Sequence, residues 1–290
     1  MGSHATPRLI GWRAALNLGR VSNLPTVWSN VIAGAMLAGG ASLDVMLMAM
    51  AAMSLLYVGG MYLNDAFDRE IDARMRASRP IPAGDVSPRT VFAIGFGLLA
   101  AGVIALVALG WQAGLAGLIL AAAIVLYDWH HKGNRLGPLL MGFCRAMVYV
   151  GTAAAAAAML DPRVLIGALV LMLYVAGITL AAKQEAFERP SNWGPLLLLA
   201  APLAVALPVL ASSWMVALAA VLLLCVVGYA VMLLHRRGAN DVGRAVGLLI
   251  AAIALVDGLA VASVGALPAL AACVVLFLLT LLLQRYIPGT

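Results

Sequence analysis

The sequence predicts an all-α fold, a polytopic transmembrane helical bundle of nine to ten spans. Three observations carry that reading. Hydrophobic residues make up 64% of the 290-residue chain and charged residues only 10%, against about a quarter charged in an ordinary soluble domain. Apolar stretches near the roughly 20 residues that a helix needs to cross a bilayer recur from Thr26 to Leu283. Their length suits helices rather than barrel strands, which would be about half as long and would alternate in polarity.

In chain order, residues 1–23 read as a cytoplasmic N-terminal segment. Arg8, Arg13 and Arg20 interrupt it, leaving no apolar core of the kind a cleavable signal needs. Leu9, Ile10, Ala14, Leu16 and Leu18 give a loosely amphipathic pattern that suits an interfacial helix, with a plain cytoplasmic tail as the alternative. Residues 24–290 read as a single transmembrane domain. Its candidate spans are 24–43, 45–66, 88–110, 112–128, 138–160, 162–186, 194–212, 214–234, 242–264 and 267–285.

The basic residues set the expected orientation. With the N-terminus inside, 17 of the 18 Lys and Arg fall on the cytoplasmic side and Arg163 alone falls outside, a marked positive-inside bias. Both termini and the active site of this integral, multi-pass membrane protein are therefore expected on the cytoplasmic side. The net charge of +6 is spread over short loops rather than one continuous face, which points to the lipid bilayer and to no nucleic acid as partner. Cys144, Cys225 and Cys273 lie inside apolar spans without CxxC or Cys/His spacing, so neither zinc nor a disulfide framework is supported. The outer connections are short and nearly uncharged, whereas those near 67–87 and 129–137 are longer and polar, so chemistry is expected on the inner face.

The second span ends in Asn64-Asp65-Ala66-Phe67-Asp68-Arg69-Glu70-Ile71-Asp72. Asn64, Asp68 and Asp72 stand at i, i+4 and i+8, one face of a continued helix. Four of the twelve acidic residues fall in these nine positions, a concentration that repels itself unless cations or arginines neutralise it. Mg²⁺ takes hard oxygen ligands and is commonly held by one or two carboxylates plus substrate phosphates, so the row suits a metal–diphosphate clamp. Arg74, Arg76 and Arg79 follow, and arginine suits phosphate oxygens. A solvated charged loop is the plain alternative.

These residues resemble the UbiA superfamily of intramembrane prenyltransferases, whose first signature is NDxxDxxxD followed by an Arg-Pro pair. Here it stands as Asn64-Asp65-x-x-Asp68-x-x-x-Asp72, then Arg79-Pro80-Ile81-Pro82-x-Gly84. Arg20-x-x-Asn23-Leu24-Pro25-Thr26 is similar to the lead-in to the family's first helix, and Tyr127 followed by Lys132, Gly133 and Asn134 resembles its loop after helix four. The motifs cover about residues 20–190. The resemblance implies that Asn64, Asp68 and Asp72 hold Mg²⁺ and a prenyl diphosphate, with Asp65 in support. It also implies that Arg79 contacts phosphate and that Tyr127 and Lys132 line the closing loop, with Arg20, Asn23 and Arg76 as further substrate-binding candidates. The implied reaction is Mg²⁺-dependent transfer of a prenyl group to a small-molecule acceptor of unknown class, an aromatic one included. Asp68, Asp72, Lys132 and Arg145 are the catalytic candidates. Arg145 lies roughly 12 Å inside the fifth span, where an ionisable side chain is a functional-site hypothesis by default. Its expected partner is Asp68 or the diphosphate, with plain pairing to an acid as the alternative.

The second signature of the family, an Asp-rich run beginning Lys-Asp, is replaced here by Lys183-Gln184-Glu185-Ala186-Phe187-Glu188-Arg189. If register is kept, Gln184 and Phe187 stand where acids are expected and a metal ligand is lost. If Glu185 and Glu188 substitute, Glu185 as metal ligand and both with Lys183 as substrate contacts, the ligands move by about 100° around the helix. This departure points toward divergent members such as the EboC-like group. It also motivates a rival reading, a non-catalytic prenyl-lipid-binding protein. A secondary transporter is the other rival, given ten spans, both termini inside and a weak internal repeat. Asp257, inside the ninth span but near its outer end, is expected to be exposed at the interface.

Overall fold

The computed structural model describes residues 10–130, 134–157, 159–186, 194–236, 238 and 240–289, with the side chains at 183–186, 195 and 196 outside the description. Among these residues there are thirteen α-helices and no strands: α1 (Trp12–Leu18), α2 (Leu24–Leu37), α3 (Leu43–Phe67), α4 (Arg69–Met75), α5 (Pro88–Leu109), α6 (Trp111–His130), α7 (Gly137–Ala156), α8 (Pro162–Ala186), α9 (Gly194–Ala206), α10 (Trp214–Arg236), α11 (Asp241–Ala251), α12 (Ile253–Ser263) and α13 (Leu267–Leu283). Local chemistry sets several boundaries. Proline opens α5 at Pro88, and the Ser87 side chain caps it by accepting the Thr90 amide at 3.1 Å. Gly39 and Gly40, at φ 99° and 106°, turn the chain after α2 through a region open to glycine.

Seven helices among the described residues are long and apolar enough to cross a membrane, counting residues 241–263 as one. The expected nine to ten spans are not reproduced at that length. The other three coincide with α2, α9 and α13, of 14, 13 and 17 residues. A helix of 14 residues rises about 21 Å, short of a hydrocarbon core of about 30 Å. Pro202 lies inside α9, which gives way to a 3-10 turn at Leu207–Val209. The side chains of Ile104, Leu118, Leu165, Val221, Leu224 and Val275 are exposed on the outer faces, as lipid contact rather than water requires. The chain is an integral, multi-pass membrane protein.

α2 packs against α3, α7, α12 and α13, which places it between two apolar cores. One core holds Val27, Val31, Met53, Leu56, Leu99 and Leu120. The other holds Tyr149, Leu171, Tyr174, Leu223, Leu249 and Leu255. A smaller cluster ties α1 to α3 and α5 through Leu18, Tyr62, Ala66 and Val91, and α1 buries its last residue, Leu18. On α3, a Cβ at Gly60 would meet Ile124 Cγ2 of α6 at 2.9 Å. That close approach fixes the α3/α6 register one turn below the acidic row. Arg163, the single basic residue expected outside, is neutralised by Asp161 at 2.7 Å, and this pairing holds the Asp161 carboxyl down to about 2.

Asp257 departs from expectation. It is fully buried rather than interfacial, because α12 begins afresh after Ala252 and turns this residue onto α2. There its carboxylate accepts the hydroxyls of Ser29 and Tyr149, the latter at 2.7 Å, and the Asn30 amide at 2.8 and 2.9 Å.

Candidate active site

The acidic row lies where α3 hands over to α4. The helix does not run unbroken through it: α3 ends at Phe67, Asp68 is the junction residue, and α4 begins at Arg69. The turn stays close to helical, with the Asp68 amide on the Asn64 carbonyl at 2.9 Å and the Asp72 amide on the Asp68 carbonyl at 2.9 Å. Asn64, Asp65 and Asp72 are consequently brought together and buried.

Two arginines neutralise the cluster. Arg79 Nη1 reaches Asp65 Oδ1 at 3.0 Å and Asp72 Oδ2 at 2.8 Å. Arg20 Nη2 reaches Asp65 Oδ1 at 3.2 Å and donates to Asn64 Oδ1 at 3.3 Å. Arg20 does this from a left-handed backbone at φ 42°, a conformation that costs a non-glycine residue of order 1–3 kcal/mol and clusters at functional sites. Arg76, by contrast, is exposed at the end of α4, as is Arg74.

Beneath the charges lies an apolar cavity walled by Val27, Met53, Leu56, Ile124, Val148, Val175 and Ile178, with Arg20, Asn23, Tyr127, Asp128 and Arg145 as polar members. Both ends of the Asn23 side-chain amide hold C-terminal residues: it donates to the Gly289 carbonyl at 2.9 Å and accepts from Gln284 at 3.0 Å. Arg145 does not pair with Asp68. It donates to Asn30 Oδ1 at 3.0 Å and its guanidinium lies 5.3 Å from the Tyr57 ring centroid. Asn30 in turn donates to Asp257, so the cation and the buried acid are joined through one amide. Both charges sit in the bundle interior, and that is the physical reason they answer each other.

Asp128 belongs to the site without carrying a motif of its own in the sequence. It is buried at the end of α6, its Oδ1 accepts Asn64 Nδ2 at 3.2 Å, and its Oδ2 has no hydrogen-bond partner among the described residues. The only signal available was an acid directly after Tyr127. Lys132 and Glu188 lie outside the described residues, and Lys183 and Glu185 are described only as backbone at the end of α8.

The donor set is oxygen-rich and suits a hard divalent cation. Among the described residues no three His, Cys, Asp or Glu side chains form a ready-made metal cage. Mg²⁺ does not require one, since it keeps waters and substrate phosphates in its shell. The bare Asp128 oxygen beside Asn64 is the kind of buried acceptor such an ion satisfies.

The UbiA prenyltransferase family model matches residues 27–189, a stretch that takes in the acidic row, Arg79, Asp128 and Arg145. The chain belongs to the UbiA prenyltransferase family. It is 35% identical over 125 residues to a digeranylgeranylglyceryl phosphate synthase of Methanopyrus kandleri, covering 43% of this chain and 46% of that protein. It is 33% identical over 148 residues to a protoheme IX farnesyltransferase of Korarchaeum cryptofilum, covering 48% of each. The chain thus spans about half the length of the curated relatives it matches. Solved structures of UbiA homologues share the fold. One from Archaeoglobus fulgidus bound to GPP and Mg²⁺ superposes with a TM-score of 0.54 at 14% identity, over 94% of this chain and 99% of that one. A digeranylgeranylglyceryl phosphate synthase structure gives 0.60 at 20% identity, over 87% and 98%.

Proposed function

We propose that this UbiA family member transfers a prenyl group from a prenyl diphosphate to a small-molecule acceptor in the membrane, with residues 24–290 acting as one membrane domain. The observation that carries the reading is the stacking of a charged cap directly on an apolar cavity. Asn64, Asp65, Asp72, Asp128, Arg20 and Arg79 form the cap, and Met53, Leu56, Ile124 and Val148 stand among the walls below. Such a site receives an amphipathic substrate with a charged head and a hydrocarbon tail.

Asn64, Asp68 and Asp72 are the residues that would hold Mg²⁺. When bound, the ion supplies charge neutralisation for the departing diphosphate. Arg20 and Arg79 supply guanidinium donors that exchange from Asp65 and Asp72 onto phosphate oxygens. The apolar walls seat the isoprenoid and exclude water from the reacting carbon. Tyr57, with Arg145 over its ring, presents an aromatic wall to the developing positive charge. Lys132, Lys183, Glu185 and Glu188 are proposed as further contributors to substrate binding.

The test is release of pyrophosphate by purified protein in lipid, offered geranyl, farnesyl and geranylgeranyl diphosphates with a mixed pool of acceptors and followed by mass spectrometry. Mg²⁺-dependent release with a prenylated product is the expected result and identifies the acceptor. Tight donor binding without release supports the non-catalytic reading that Gln184 and Phe187 motivate. Mg²⁺-independent solute uptake into vesicles favours a transporter.

A further inference from the structure

Within the charged cap, one fully buried side-chain oxygen has no hydrogen-bond partner among the described residues, Asp128 Oδ2. Asp65 takes Arg20 and Arg79, Asp72 takes Arg79, and the Asn64 amide is divided between Arg20 and Asp128. Asp128 is 4% exposed and lines the cavity. It forms no ion pair among the described residues, and its Oδ2 is buried without a hydrogen-bond partner among them. An isolated buried carboxylate is strongly unfavourable, and a bare acceptor in a bundle interior calls for a missing partner. The side chain is not slack. Gly60 against Ile124 sets the two helices close, and one turn further on Asn64 holds Oδ1. That leaves Oδ2 fixed in position on a side chain that lines the cavity.

We propose that Asp128 is a direct ligand of the divalent cation, binding it through Oδ2 while Oδ1 stays on the Asn64 amide. The inference rests on reading the cap as a metal–diphosphate site, and it adds α6 to α3 as a source of metal ligands. A carboxylate held by one hydrogen bond and aimed by a neighbouring helix is a pre-positioned ligand.

The deciding experiment measures Mn²⁺ binding by electron paramagnetic resonance on the full chain in lipid, with geranylgeranyl diphosphate, for the wild type and Asp128→Asn. The substitution keeps the shape and the contact with Asn64 but removes the charge. The half-saturating Mn²⁺ concentration is expected to rise at least roughly tenfold in the variant. An unchanged value in a folded variant overturns the proposal and leaves Asp128 as a packing residue, while the wild-type result still stands for the function. Failure of the wild type to bind Mn²⁺ with the donor removes both. Asp128→Cys gives an independent readout if the first variant does not fold: a thiolate ligand shifts cation preference toward Cd²⁺, whereas a purely structural role leaves the preference unmoved.

Discussion

Arg145 and Asp257 allow the interior charges to be weighed directly. Arg145→Met keeps the aliphatic volume but removes the 3.0 Å bond to Asn30 Oδ1 and the guanidinium 5.3 Å from the Tyr57 ring. The ring contact contributes about 0.5–2 kcal/mol. The larger effect is that Asp257, which is fully buried, loses the cation that Asn30 joins to it; the two charges do not touch, so the loss is expected below the about 3–5 kcal/mol of a broken direct pair. Asp257→Asn weakens the bonds from Ser29, Asn30 and Tyr149, since hydrogen bonds to a charged group are worth about 1.5–3 kcal/mol against about 1 for neutral ones. It also strands the Arg145 charge. The double variant contains neither charge, so it is expected to be about 2 kcal/mol more stable than the sum of the singles predicts. Unfolding of the four proteins in mixed micelles, followed by circular dichroism, gives the coupling. Additivity within about 0.5 kcal/mol would show that the Asn30 bridge does not couple the two charges.

The remaining predictions concern the cap and the topology. Arg79→Ala leaves Asp65 and Asp72 buried without their shared cation, so a loss of about 3 kcal/mol is expected in a denaturation experiment. Arg79→Lys recovers only part of it, because a point charge does not reproduce the fork. Gly60→Val drives α6 away through Ile124, costing about 1–3 kcal/mol in thermal unfolding and weakening prenyl diphosphate binding with it. Reporter fusions at both termini are expected to signal the cytoplasm, with a fusion after Arg163 signalling the other side.

Much of this was legible because it is local. The i, i+4 spacing of Asn64, Asp68 and Asp72, the acid density around them, and the basic residues nearby can all be read from one stretch of chain, and the resemblance drawn from them agrees with the family match over residues 27–189. Apolar length gave the helical class but leaves the count of nine to ten spans open, since α2, α9 and α13 are shortened by turns, prolines and glycines whose effect depends on their neighbours. What was not legible is tertiary. Asp128 is an ordinary helix-end acid until Gly60 lets α6 approach and Asn64 takes one of its oxygens. Asp257 looked interfacial when counted along its own span. Its meaning lies in Ser29 and Asn30 of α2 and in Arg145 and Tyr149 of α7, polar residues inside otherwise apolar spans that together needed one another.

A cap that serves as a divalent-cation and diphosphate site where α3 meets α4 must make equilibrium binding of geranylgeranyl diphosphate to the protein in lipid depend on both Mg²⁺ and the acidic row. Measured with Mg²⁺, with a chelator, and in a folded Asp68→Asn variant, binding is predicted to be tight only for the wild type with Mg²⁺. Equal binding under all three conditions would contradict the account.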